Sequence, residues 1–236
     1  MASKRFEKAA TLVDQNTALT LDRAVTLLKE MPPVKFDETV ELSASLNIDP
    51  KKTDQVVRGT VTLPHGTGKA RKVLVFCKGE QELVVKSAGA DYAGGTEFID
   101  KNQGGWLDFD VVVATPDMMR DVSKLGKVLG PRGLMPNPKA GTVTEDVAKA
   151  IQELRKGKVE FKMDKLANIH FVIGKRSFQP QQLAENGRVA MQAIVRARPS
   201  AVKGRLISRL TLSSTMSPGI PVSAEGFEED TEREEA

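Results

Sequence analysis

The sequence predicts a mixed fold in which an α/β domain is inserted into an α+β domain assembled from both ends of the chain. Three observations carry this. Toward both termini, short segments alternate apolar and polar residues with period two, as strands do when one face is packed and the other wet. From about residue 68 to 157, the strands become continuous apolar runs separated by helical stretches, which is the pattern of a largely parallel sheet covered on both faces. The changeovers fall at Gly66 and Gly68 on the way in and at Gly157 on the way out, so these three glycines are the expected hinge. The expected domains are 1–67 with 158–222, the insert 68–157, and an acidic disordered tail 223–236.

Taken in order, a basic arm (Lys4, Arg5, Lys8) leads into Phe6, Ala9, Ala10 and Val13 at helical spacing, which predicts a short helix ending near Asn16. Thr20 is placed to cap a second helix with Leu21, Ala24, Val25 and Leu28 on one stripe, and Pro32-Pro33 forbids its continuation. Over 34–42, Phe36, Glu38, Val40 and Leu42 share one face and Lys35, Asp37, Thr39 and Glu41 the other, so a strand is expected. A second strand over 56–63 ends at the linker PHGTGK. Within the insert, VLVFC (73–77) reads as a buried strand, and Gly79 opens a helix through Leu83, Val84 and Ala88. A further apolar strand (109–114) runs into Thr115-Pro116, a cap and a first helical residue.

A helix from Thr144 buries Val147, Ile151 and Leu154, carries Arg155 and Lys156 at its end, and stops at Gly157. Beyond it, Val159, Phe161 and Met163 alternate with charged residues, and Ile169, Phe171 and Ile173 alternate after a turn at 165–168. This predicts a β-hairpin whose open face carries Lys158, Lys162, Asp164 and His170. Pro180 starts a helix that closes at Pro199, and Leu206, Leu210 and Leu212 lie in a last strand.

The net charge of +4 is unevenly distributed. Residues 1–66 are neutral, 67–155 carry +1, 156–224 carry +9 and 225–236 carry −6. A basic segment of this kind without an amphipathic aromatic helix points to nucleic acid before a membrane. No apolar run approaches the length of a membrane span and the N-terminus lacks a signal-peptide core, so a cytoplasmic protein is expected. The single cysteine, Cys77, lies in an apolar run and reads as a small core residue.

Catalytic chemistry is hard to assemble. Only His65 and His170 are present as histidines, no metal-ligand or nucleophile motif occurs, and the Asp108/Asp110 and Asp117/Asp121 pairs flank element ends. The proline- and glycine-rich stretch 129–141 fails the spacing of a phosphate-binding loop and reads as a rigid structural loop. TLSSTMSP (211–218) is a hydroxyl-rich strand end, and two readings stand for it: a plain C-terminal strand, or a surface for phosphate and ribose with Met216 packing on a base.

Four segments carry a resemblance: KFDETVEL (35–42), VRGTVTLPHGTGK (57–69), GGWLDFDVVVATPDMM (104–119) and LGPRGLMPNPKAGTVT (129–144). Together they closely resemble the bacterial large-subunit ribosomal protein one family, and the likeness runs from about Lys4 to Pro218. The resemblance implies a split ferredoxin-like domain from both termini and an inserted Rossmann-like domain. It implies binding to the 23S rRNA stalk of the 50S subunit, help in releasing deacylated tRNA from the exit site, and repression of the protein's own operon mRNA, with no cofactor and no catalysis. On matching positions the RNA surface would comprise Lys35, Phe36 and Thr39, then Asp164, Lys165 and His170, then Thr215, Met216 and Ser217. Ser217 stands where the family more commonly has glycine. The competing class is a nucleotide-dependent enzyme using the α/β domain.

Overall fold

The elements were read from a computed structural model that describes residues 3–52, 55–199, 202, 204–225 and 227. In chain order they are α1 (Lys4–Ala10), α2 (Leu21–Glu30), β1 (Thr39–Leu46), β2 (Arg58–Thr62), β3 (Val73–Phe76), α3 (Gly79–Ser87), β4 (Tyr92–Gly94), α4 (Thr96–Gln103) and β5 (Val111–Ala114). Two single-turn helices follow, α5 (Met119–Val122) and α6 (Gly126–Leu129), and then α7 (Val147–Arg155), β6 (Lys158–Lys162), β7 (Asn168–Lys175), α8 (Pro180–Arg196), β8 (Ile207–Ser214) and β9 (Ile220–Val222). The chain divides into two compact units, Met1–Gly68 with Val159–Ala236, and Lys69–Lys158. No helix among the described residues is long and apolar enough to cross a membrane.

The first unit is built on an antiparallel sheet in the order β7-β1-β8-β9. Along β1, Val40, Leu42, Ala44 and Leu46 are buried and the residues between them are not, so the alternation read from the sequence is the alternation of the sheet. The buried side shares one core with Leu21, Ala24, Val25 and Leu28 of α2 and with Leu183, Ala190, Met191 and Ile194 of α8. Each such leucine or isoleucine contributes about 1.5–3 kcal/mol by leaving water. Pro180 occupies the first turn of α8, and Gln179 and Gln182 exchange a capping box that satisfies two amides there.

Three expectations need correction here. Phe36 does not continue the packed face of β1, because the backbone bends at residues 35 and 36 and the strand begins only at Thr39; Phe36 is 53% exposed. The hairpin at 158–173 is not formed either. β6 pairs with β2 in a separate two-stranded sheet, while β7 pairs with β1. The intervening turn re-aims the chain: Ala167 takes a left-handed φ of 62° and its carbonyl accepts the Leu46 amide at 2.8 Å, so β7 takes its register from β1. β6 and β7 meet instead through their buried side chains, with the Phe161 and Phe171 rings 5.8 Å apart. Thirdly, Lys158 is not on an open face, since its ammonium pairs with Glu153 at 2.9 Å and its side chain is 16% exposed.

The end of the unit differs in detail as well. The short strand β9 follows β8, the Ser223 amide donates to the Leu19 carbonyl at 2.8 Å, and Ala224 is buried, so residues assigned to the tail pack on the unit. Residues 226 and 228–236 of that tail lie outside the described residues.

In the second unit β3 pairs in parallel with both β4 and β5. Its continuous apolar run follows from cover on both sides. Val73, Val75 and Cys77 join Val147, Ile151 and Leu154 of α7, while Leu74 and Phe76 join Ile99, Met118, Val122 and Leu129. Burial pushes the Cys77 thiol above its usual pKa. α7 starts later than Thr144: Asp146 is its N-cap, accepting the Lys149 amide at 3.2 Å.

Candidate nucleic-acid interface

The nine residues proposed for RNA contact fall into two clusters on the first unit. At the start of β1, the Thr39 amide donates to the Thr215 hydroxyl at 3.0 Å and the Thr215 amide donates to the Thr39 carbonyl at 3.1 Å. The Met216 amide donates to Glu38 Oε1 at 3.0 Å, and the Met216 carbonyl accepts from Arg5 Nη2 at 2.6 Å. The Ser217 hydroxyl accepts the Ser214 amide at 2.8 Å, and the Lys175 ammonium donates to Thr39 Oγ1 at 2.8 Å. The backbone polar groups of Met216 are therefore satisfied within the protein, while its side chain stays 49% exposed. Lys35 and Phe36 lie in the exposed bend that leads into the same strand end.

Beneath this loop sits a residue that sequence reading assigned only to the packed face. Glu38 is fully buried, and its Oε2 accepts Arg176 Nη1 at 2.5 Å. Arg176 also donates to the carbonyls of Lys29, Pro32 and Met31. The only signal for this pair was a glutamate in phase with Val40 and Leu42, since its partner lies 138 residues later.

The second cluster is the turn between β6 and β7. Asp164 Oδ1 accepts the amides of Leu166 and Asn168, both at 2.8 Å, which locks a tight turn and presents Lys165 and the 77% exposed Leu166 at its tip. His170 accompanies it, with Nε2 3.9 Å from Asp164 Oδ2 and Nδ1 3.1 Å from the Ser43 hydroxyl. The hydrogen bond from the Asn168 amide, followed by that from Leu166, holds the Asp164 carboxyl below the usual aspartate range. With a depressed native pKa, the carboxylate's contribution to the turn is complete above the unfolded value and is lost as pH falls through the native one. The protection of the Leu166 and Asn168 amides, measured relative to their intrinsic exchange rates, should therefore be full at neutral pH and fall below about pH 4, and Asp164→Ala should abolish it at every pH.

The two clusters lie at opposite ends of β1, about 20 Å apart at the usual strand rise. Between them runs a polar face of which the nine residues include only His170. Ser43 stands opposite His170 on one side and Thr211 on the other, Glu41 opposite Val172 and Ser213, and Ser45 opposite Asn168 and Arg209. Basic charge is less available than the segment total suggests. Arg176 is spent on Glu38, Arg188 on Asp22, and Arg198 on the carbonyls of Val202 and Gly204; Lys162, Lys165, Arg205 and Arg209 are exposed, as are Lys156 and Arg196.

The expected hinge glycines all have local reasons to be glycine. Gly66, Gly68 and Gly157 have φ of 65°, 74° and 99°. A Cβ on Gly68 would also stand 2.8 Å from Lys175 Cγ and 2.9 Å from the Phe178 ring, and Gly157 ends α7 with its amide on the Leu154 carbonyl.

The sequence pattern of the ribosomal protein L1p/L10e family matches residues 28–218. The chain belongs to that family. Among curated L1 relatives, it is 56% identical over 220 residues to the large ribosomal subunit protein uL1 of Protochlamydia amoebophila, covering 93% of each chain. It is 54% identical over 220 residues to uL1 of Thermobifida fusca, covering 93% of this chain and 94% of the relative, and 54% identical over 218 residues to uL1 of Kosmotoga olearia, covering 92% and 94%. L1 is a structural ribosomal protein and not an enzyme, which decides against the nucleotide-dependent alternative.

Proposed function

We propose that this chain is a structural protein of the large ribosomal subunit that binds the 23S rRNA stalk through its first unit. In this reading the first unit is a split ferredoxin-like domain, the inserted unit is Rossmann-like, and Gly66, Gly68 and Gly157 lie at the hinge. The protein assists release of deacylated tRNA from the exit site and represses translation of its own mRNA by binding a mimic of the rRNA site.

One observation carries the RNA reading. Two large apolar side chains, Phe36 and Met216, stand exposed at one strand end where the Met216 backbone is fully hydrogen-bonded, beside a face of hydroxyl groups. Exposed apolar groups on a pre-formed support suit stacking against bases or sugars, and serine and threonine hydroxyls suit ribose and phosphate oxygens. Lys162, Lys165, Arg205 and Arg209 add salt-dependent attraction to the backbone. The acid-locked turn at Asp164 and the Thr39–Thr215 junction hold two contact regions at a fixed separation, which favours a rigid, folded RNA over a flexible strand.

Gel-shift titration against a stalk rRNA fragment at several salt concentrations tests this reading. Tight binding whose logarithm falls linearly with the logarithm of salt is expected, with a chain lacking 69–158 binding the fragment within about threefold of the full chain. A shortened chain that folds and does not bind would remove the assignment of RNA contact to the first unit.

A further inference from the structure

We propose that a groove at the β9 edge of the first unit's sheet is a third RNA contact site, one that seats a backbone phosphate with its ribose. The proposal rests on the rRNA reading above and adds residues outside the nine. The groove encloses about 670 Å³ and is lined by Arg205, Ser208, Arg209 and Thr211 on and before β8, by Asn16 before α2, and by Glu225 after β9. A volume of that order holds a nucleotide-sized group.

Three features build the groove. The register of β8 slips against β1: Ile207 stands opposite Leu46 and Arg209 opposite Ser45, so Ser208 is the extra residue of a β-bulge. Neighbours on a regular strand point to opposite faces, whereas Ser208 and Arg209 are both exposed and both line the groove. The outer edge is closed next. The Leu19 amide donates to the Pro221 carbonyl at 3.0 Å, the Ser223 amide to the Leu19 carbonyl at 2.8 Å, and Gln15 Nε2 to the Gly219 carbonyl at 3.1 Å. These bonds use backbone groups that an open edge would offer to another strand. Lastly, Gly219 lines the groove without a positive φ, yet a Cβ there would stand 2.7 Å from Thr211 Cγ2. Glycine at this position keeps the space beside Thr211 clear.

The chemistry of the lining suits a phosphate with its ribose. Among the described residues, the arginine ion pairs of this unit are those of Arg176 and Arg188; Arg205 and Arg209 stand exposed outside them. A guanidinium presents a planar fork that matches two phosphate oxygens, and the Ser208 and Thr211 hydroxyls suit ribose and phosphate. Glu225 is the one carboxylate of the lining and opposes the anion.

The place of the groove gives it a task. Thr211 stands opposite Ser43 of β1 on one side and Pro221 of β9 on the other, so the groove continues the polar rows across the sheet. β9 lies two strand spacings, about 10 Å, from β1. The two contact clusters lie along β1, and contacts on one line leave a rigid RNA free to roll about that line. A phosphate held to one side of the line stops the roll. Such a contact reads no base and fixes the orientation of the bound RNA.

Filter binding of the full chain to the stalk fragment tests the site. Arg205→Gln with Arg209→Gln should weaken binding about tenfold and lower the slope of log affinity against log salt by about two. Arg209→Lys should keep most of the loss seen with Arg209→Gln, because an ammonium retains the charge and loses the fork. Glu225→Gln should tighten binding about two- to threefold at low salt. Neutral methylphosphonates placed singly along the fragment should cost the parent about tenfold at one or two positions, where the double arginine variant loses nothing further. Full recovery by lysine, or equal methylphosphonate losses in both proteins at every position, overturns the site and leaves only diffuse attraction. Parental affinity of the double arginine variant overturns it as well. Failure of the parent chain to bind the fragment is a separate result, the failure of the rRNA reading.

Discussion

Glu38→Ala should destabilise the first unit by about 3–5 kcal/mol, the usual cost of stripping one partner from a buried ion pair. The carboxylate is fully buried and accepts Arg176 at one oxygen and the Met216 amide at the other. Its removal leaves a guanidinium whose side chain is 13% exposed without a counter-charge, held only by main-chain carbonyls at the end of α2. Arg176→Ala should cost a similar amount, because it strands the carboxylate instead. In thermal unfolding either change corresponds to a fall of roughly 10 °C for a chain of this size. The paired replacement Glu38→Leu with Arg176→Met should recover much of the loss, since the expense lies in the unpaired charge and not in the absence of the pair. Urea unfolding of the three variants measures this; a loss below about 1 kcal/mol for both single changes would mean that water reaches the pair and that it does not brace the Met216 loop.

What the sequence could and could not disclose follows from the range of each signal. Period-two alternation reports burial along one strand, so the packed face at the start of β1 and the two-sided cover of β3 were readable from Val40 and Leu42 and from the run at 73–77. Alternation does not report the neighbour. β6 and β7 had the pattern of a hairpin, yet Ala167 and Asp164 turn the chain into another sheet, and nothing in the spacing of Val159, Phe161 and Met163 distinguishes those outcomes. Phe36 was in phase with β1 and still points outward, because a bend at two residues cancels the phase. The RNA residues came from family resemblance, and the polar rows of Ser43 with Thr211 and Ser45 with Arg209 were hidden for the opposite reason. Each residue was visible as a wet strand position, but only the pairing of segments more than 160 residues apart makes them one surface.

Phe36→Ala and Met216→Ala should each weaken binding to the stalk fragment by about 10- to 100-fold while leaving stability within about 0.5 kcal/mol of the parent. The two residues are 53% and 49% exposed, so truncation removes little buried area from the folded protein. The same exposure leaves their surfaces free to be covered by a base or sugar, and the gain on covering them appears only in the complex. Because the Met216 backbone is held by Glu38 and Arg5, substitution of its side chain does not release the loop, and the loss is one of contact. Lys165→Gln provides the contrast, being exposed at the tip of the Asp164 turn. It should weaken all RNAs alike and reduce the slope of log affinity against log salt by about one, whereas the two apolar changes should leave the slope alone and discriminate stalk from unrelated RNA less well. Filter binding at three salt concentrations separates the two behaviours. Apolar variants that are stable and bind with parental affinity would move the recognition surface away from the Thr39–Thr215 junction, toward the turn cluster and the polar rows between.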